Sequence, residues 1–126
     1  MVEKYIAEIP ARIWAEGRPP KVRAWEAHFN VASWVRLSAA TGAVGLEIRW
    51  RDERGEQSVR VDQTEATEDG SVLLSGMVRI RFSGKVESVD AVLTLGSPAM
   101  HFVVDELFMQ RRGAQQTVQN KLISNF

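Results

Sequence analysis

The sequence predicts an all-β protein built as two packed sheets, and three observations predict it. Apolar residues recur at every second position through most of the chain, the mark of a strand with one buried face. Turn residues (Gly, Pro, Asp, Ser) interrupt that alternation often enough to leave about seven or eight short strands at roughly ten-residue spacing. No helical period occurs before residue 113. The 126 residues, 44% apolar and 25% charged, fit one domain with a sizeable core.

Taken in order, Tyr5, Ala7 and Ile9 alternate up to Pro10, with Ile13 and Trp14 beyond, which predicts a short edge strand where a proline removes no ladder bond. Gly17-Arg18-Pro19-Pro20 is a loop. Phe29, Val31, Ser33, Val35 and Leu37 then point one way, toward the core, and Asn30, Ala32, Trp34 and Arg36 the other. After a connection over 38–45, Val44, Leu46, Ile48 and Trp50 alternate with Gly45, Glu47, Arg49 and Arg51. Asp52-Glu53-Arg54-Gly55 is a tight turn into a short strand around Val59 and Val61. The polar stretch 62–70 reads as a solvated loop, its acids serving solvation more readily than a metal. From Ser71 to Phe82 alternation returns, with Gly76 marking a bulge or bend.

The most apolar stretch, 88–112, reads as a hairpin: Val89, Ala91, Leu93 and Leu95 lead to a Gly96-Ser97-Pro98 turn, and 100–109 returns with apolar residues on both faces, as a central strand does. Leu46, Ile48, Val78, Ile80, Phe102 and Val104 are the expected core. The sandwich domain is drawn over 1–112. Residues 113–126 form a tail in which Ala114, Val118, Leu122 and Phe126 share four-residue spacing, leaving a short amphipathic helix and a frayed end as the two alternatives.

Composition removes several function classes. Sixteen basic and sixteen acidic residues cancel, so no global field gathers nucleic acid, although local patches are not excluded. There is no cysteine, hence no disulfide and no thiolate ligand or nucleophile. No apolar run reaches the length of a membrane helix, and the opening MVEKYIAEIP lacks a signal-peptide core, so the chain reads as soluble with its compartment left open. His28 and His101 are the only histidines, no serine sits in a nucleophile elbow, and no Gly-rich phosphate loop is present, which leaves an enzyme less supported than a binding protein.

Four segments in order carry a family resemblance: HFNVASWVRL, VGLEIRWRDERGEQ, LLSGMVRI and HFVVDELFM, together spanning about residues 27–109. They resemble the strand W-V-R, the hairpin L-x-I-x-W-x-D-x-x-G, the strand L-S-G-x-x-x-I and the closing F-Y-V-D-D-V-x-L of the jelly-roll carbohydrate-binding modules that include families 4, 9 and 22, a galactose-binding-like group that is usually extracellular. The resemblance implies a jelly-roll sandwich and a non-catalytic role in binding a glycan or other small ligand, without a cofactor. It departs in two places. The family begins with a longer segment and a further strand before W-V-R, whereas 33 residues precede Trp34 here. The family's structural calcium uses an aspartate in the closing strand, which makes Asp105 a weak metal candidate, since calcium takes six to eight oxygens. A shortened start also leaves a sheet edge for another chain or a missing domain to complete, so a homo-oligomer is the second expectation.

Sugar recognition requires a flat apolar surface for the pyranose ring and oriented donors and acceptors for its hydroxyls. Residues opposite the expected core that supply these are Trp34, Arg36, Glu47, Arg49, Arg79, Arg81 and His101. The plain alternative is the ordinary wet face of a sheet, and alternation does not tell which strands share one sheet. Three functions therefore stand: a glycan-binding domain, an assembly protein that joins copies through sheet edges and the tail, and a small jelly-roll enzyme acting on a hydrophobic metabolite.

Overall fold

The computed structural model describes residues 2–113 and 121–124. Eight strands and one helical turn follow one another as β1 (Val2–Glu8), α1 (Ala11–Trp14), β2 (Ala24–Ser38), β3 (Gly42–Asp52), β4 (Gly55–Ala66), β5 (Gly70–Ser83), β6 (Ser88–Leu95), β7 (His101–Arg111) and β8 (Lys121–Ser124). They make two four-stranded antiparallel sheets, β1-β6-β3-β4 and β5-β2-β7-β8. The all-β, two-sheet sandwich expected from the alternation is the observed architecture.

Strand order makes the sandwich a jelly roll. With its eight strands numbered along the chain, that fold stacks the order 1-8-3-6 on 2-7-4-5. Counting β1 to β7 as the second to eighth strands reproduces both orders, and β8 stands where the first strand would pair with the last. Lys121–Ser124 is therefore part of the sandwich, and Leu122 packs against its core from a strand and not from a helix. The other members of the expected tail stripe, Ala114, Val118 and Phe126, lie outside the described residues.

The inner faces interdigitate as the alternation requires. Phe29, Val35, Leu46, Ile48, Ile80 and Leu107 are fully buried, each such side chain stabilising the fold by about 1.5–3 kcal/mol. Of the expected core residues, Leu46, Ile48, Val78, Ile80 and Val104 are buried, while Phe102 is half-buried and packs at the margin. Trp50 is core as its period-two set demands, and Trp14, Trp25 and Trp50 surround Phe82 at ring-centroid distances of 5.5, 4.6 and 6.1 Å.

Several local expectations are corrected. Stretch 88–112 is not a hairpin: β6 pairs with β1 and β3, β7 pairs with β2 and β8, and residues 96–100 carry the chain from one sheet to the other. Two apolar strands joined by a turn look alike in sequence whether they pair or face each other across a core, and here every ladder edge of both strands is taken. Residues 62–70 are not one loop, because β4 runs on to Ala66 along β3. Its polar edge position supplies no apolar alternation to reveal it. Asp62 Oδ2 accepts the Ser75 N–H at 3.0 Å, and Asp69 Oδ1 accepts that of Ala40 at 3.1 Å, so these acids tie strands together. Gly76 is not at a bulge: the β2–β5 ladder is continuous there, and a Cβ would collide with the Val61 carbonyl oxygen, so the glycine permits β4 and β5 to meet. Ile13 and Trp14 lie in the helical turn α1 that follows Pro10.

Candidate functional site

The β5-β2-β7 face turned away from the core does not have the polar surface of an ordinary wet sheet. Trp34 and Leu73 are each 44% exposed, Val103 is 43% and Met77 57%. Four of the six large hydrophobic residues exposed among the described ones thus share one sheet face. The cross-strand register sets Trp34 between Leu73 of β5 and Glu106 of β7, and Arg36 between Ser71 and Val103, while Met77 lies farther along β5 opposite Asn30. The residues 100–109 were expected to be covered on both sides; on their outer face His101 and Val103 are exposed and Asp105, Glu106 and Phe108 are half-buried.

A bulge shapes the centre of this face. Trp34 opposes Glu106 and Val35 opposes Val104, which leaves Asp105 as the extra residue. Two consecutive acids, Asp105 and Glu106, consequently stand between the inward Val104 and Leu107, and a bulge re-aims a side chain in this way. Asp105 meets Arg36: the Arg36 Nε–H donates to Oδ2 at 2.8 Å and to Oδ1 at 3.0 Å. That hydrogen bond, and then the carboxylate's charge, raise the Arg36 pKa above that of a free guanidinium. The signal for the bulge was in the sequence, where the apolar alternation Phe102-Val104 changes phase to Leu107-Met109 across Asp105-Glu106. Beside the pair lies a shallow depression of about 300 Å³, lined among others by Arg36, Ser38, Ser71, His101 and Val103.

Of the residues singled out in the sequence, the fold brings Trp34, Arg36 and His101 onto one part of one face, His101 opposite Ser38. Arg79 and Arg81 share that face but oppose His28 and Glu26. From Leu73, the neighbour of Trp34, six residues of strand lead to Arg79, about 20 Å, too far to serve the same sugar unit. Arg79 approaches Glu26 at 3.8 Å. Glu47 and Arg49, candidates from the same sequence reading, belong to the other sheet and share no patch with Trp34. Arg49 donates to both Glu3 oxygens at 2.6 and 2.7 Å and to Glu47 at 3.4 Å, and Arg60 donates to Glu47 at 3.2 Å. Its hydrogen bond to Glu3 is the first cause of a raised Arg49 pKa. Such a ladder of paired charges is what a solvated outer sheet carries.

Among the described residues no group of three or more His, Asp or Glu side chains is placed to hold a metal ion, and Asp105, the calcium candidate, is engaged with Arg36. No described helix is long and apolar enough to cross a membrane. Comparisons with protein-family models, curated proteins and solved structures found no match to this chain.

Proposed function

We propose that the chain is a non-catalytic carbohydrate-binding domain whose working surface is the outer face of β5-β2-β7. The observation that carries this reading is Trp34, an exposed indole at the centre of that face, with the Arg36–Asp105 pair on the same face beside it. The indole offers its π-surface to the C–H face of a pyranose, and the flanking guanidinium and carboxylates offer oriented partners for hydroxyls. A rigid sheet holds these groups ready, which lowers the ordering cost of binding. The test is a broad glycan array with Trp34→Ala alongside the wild type. Binding that disappears in the variant, with a melting temperature within a few degrees, supports the reading; a wild type that retains no glycan refutes it.

A second reading, assembly with another protein surface, is favoured by Leu73, Met77 and Val103, which are aliphatic or flexible side chains and make poor sugar platforms. It makes the same face an interface and predicts a defined oligomer. Light scattering on the array sample separates the two: an oligomer dissociated by Leu73→Asp and Met77→Asp, with no glycan held, belongs to assembly.

A further inference from the structure

We infer that the glycan is acidic, with Arg36 taking the carboxylate of a hexuronate unit stacked on Trp34. This rests on the carbohydrate-binding reading and names its ligand class. The inference begins with an asymmetry in the ion pair. Both contacts of Arg36 with Asp105 are made by Nε, at 2.8 and 3.0 Å, and among the described hydrogen bonds none uses Nη1 or Nη2. The stronger pairing of an arginine with a carboxylate puts two separate N–H groups on the two oxygens, as Arg23 does with Glu53 through Nε and Nη2. Arg49 makes that kind of pair with Glu3, through both Nη atoms. At Arg36 the single Nε–H serves both oxygens.

Exposure agrees with a fixed base and a free head. The Asp105 side chain is 17% exposed and that of Arg36 56%. Asp105, re-aimed by the bulge, holds the guanidinium at Nε, and Arg36 lines the depression together with Ser38, Ser71 and His101. Two parallel N–H groups match the two oxygens of a carboxylate and are wasted on a hydroxyl, which occupies one. Trp34 and Arg36 lie two residues apart on the same side of β2, about 6.6 Å, close to the span from a stacked pyranose ring through the carboxyl group on its ring carbon to a hydrogen-bonded guanidinium. Ser71, opposite Arg36 on β5, supplies a hydroxyl for the neighbouring ring oxygens.

The chain's net charge of zero is consistent with this. Recognition by one oriented fork needs no long-range field, and the acidic preference should therefore be a property of Arg36 alone.

The test is calorimetric titration with hexuronate oligosaccharides cut from polygalacturonate, alginate and glucuronan, and with their carboxyl-reduced neutral counterparts. The expected result is a preference of about tenfold or more for an acidic member over its neutral counterpart, the worth of a charge-assisted bidentate contact. Arg36→Gln should abolish that preference, lowering the affinity for the acidic form about tenfold or more and by a larger factor than for its neutral counterpart. Arg36→Lys, which keeps the charge and loses the fork, should retain only part of it. Circular dichroism melting of each variant near the wild-type temperature confirms that the fold is kept. Equal affinity for acidic and neutral forms, lost in Trp34→Ala, overturns the carboxylate assignment and spares the carbohydrate reading. An acidic preference that survives Arg36→Gln also overturns it. If neither set binds, this inference falls, and the broad glycan array alone decides whether the carbohydrate reading falls with it.

Discussion

Asp52 gives the sharpest test of how this sandwich is held. It closes the β3–β4 hairpin, and its side chain has no exposure. Oδ1 accepts the Arg54 backbone N–H at 2.9 Å, while Oδ2 accepts Arg54 Nη2 at 2.8 Å and the Ser83 backbone N–H at 3.0 Å, so one carboxylate joins the two sheets. These bonds, the Arg54 side chain first, lower its pKa from 3.8 to about 2 against the opposing effect of burial. A carboxylate whose folded pKa is depressed contributes stability in full above its unfolded pKa, and the contribution is lost as pH falls through the folded value. A difference approaching two pH units, at 1.36 kcal/mol each, amounts to about 2 kcal/mol, lost between about pH 4 and pH 2. Asp52→Asn removes the charge and turns an amide donor toward Arg54 or Ser83. The expected cost at neutral pH is about 2–4 kcal/mol, since each lost hydrogen bond to a charged group is worth about 1.5–3 kcal/mol and one acceptor oxygen remains. Urea unfolding at neutral pH and across pH 4 to 2 reads both effects, and the variant's stability should fall less steeply with acid than the wild type's. Parallel curves, or an unchanged midpoint at neutral pH, would refute the assignment of Asp52 as the inter-sheet clasp.

Other outcomes follow from the packing. Ile48→Ala should cost about 2–5 kcal/mol, and Arg49→Gln, on the opposite face of the same strand, no more than about 1 kcal/mol; equal losses in denaturant unfolding would mean that the register is wrong. Gly76→Ala should destabilise by about 1–3 kcal/mol, because its methyl meets the Val61 backbone and overpacking forces the strands apart; an unchanged melting temperature would show that the β4–β5 corner is loose. Removing residues 121–126 takes β8 off β7 and uncovers the core beside Leu122, so the melting temperature should drop. No change on truncation would mean that β8 contributes nothing to the sheet.

Much of the candidate site was legible before any fold was known. Trp34 lies out of phase with Phe29, Val31, Val35 and Leu37, and a strand that buries those residues must turn the indole outward, whatever it pairs with. The same local rule placed Leu46, Ile48 and Trp50 inside, and Glu47 and Arg49 outside. What alternation cannot encode is which outside. Glu47 and Arg49 have the same pattern as Trp34 and Arg36, yet β3 pairs with β6 and β4 while β2 pairs with β5 and β7, so the two pairs face opposite ways across the sandwich. Sheet membership is decided by ladders between residues far apart in sequence, and a two-residue period contains no information about them. The hairpin expected at Gly96 failed for the same reason. The meeting of Arg36 with Asp105 lies between these cases: the phase slip at Asp105-Glu106 is local and readable, but only the pairing of β7 with β2 brings the displaced carboxylate to the guanidinium Nε.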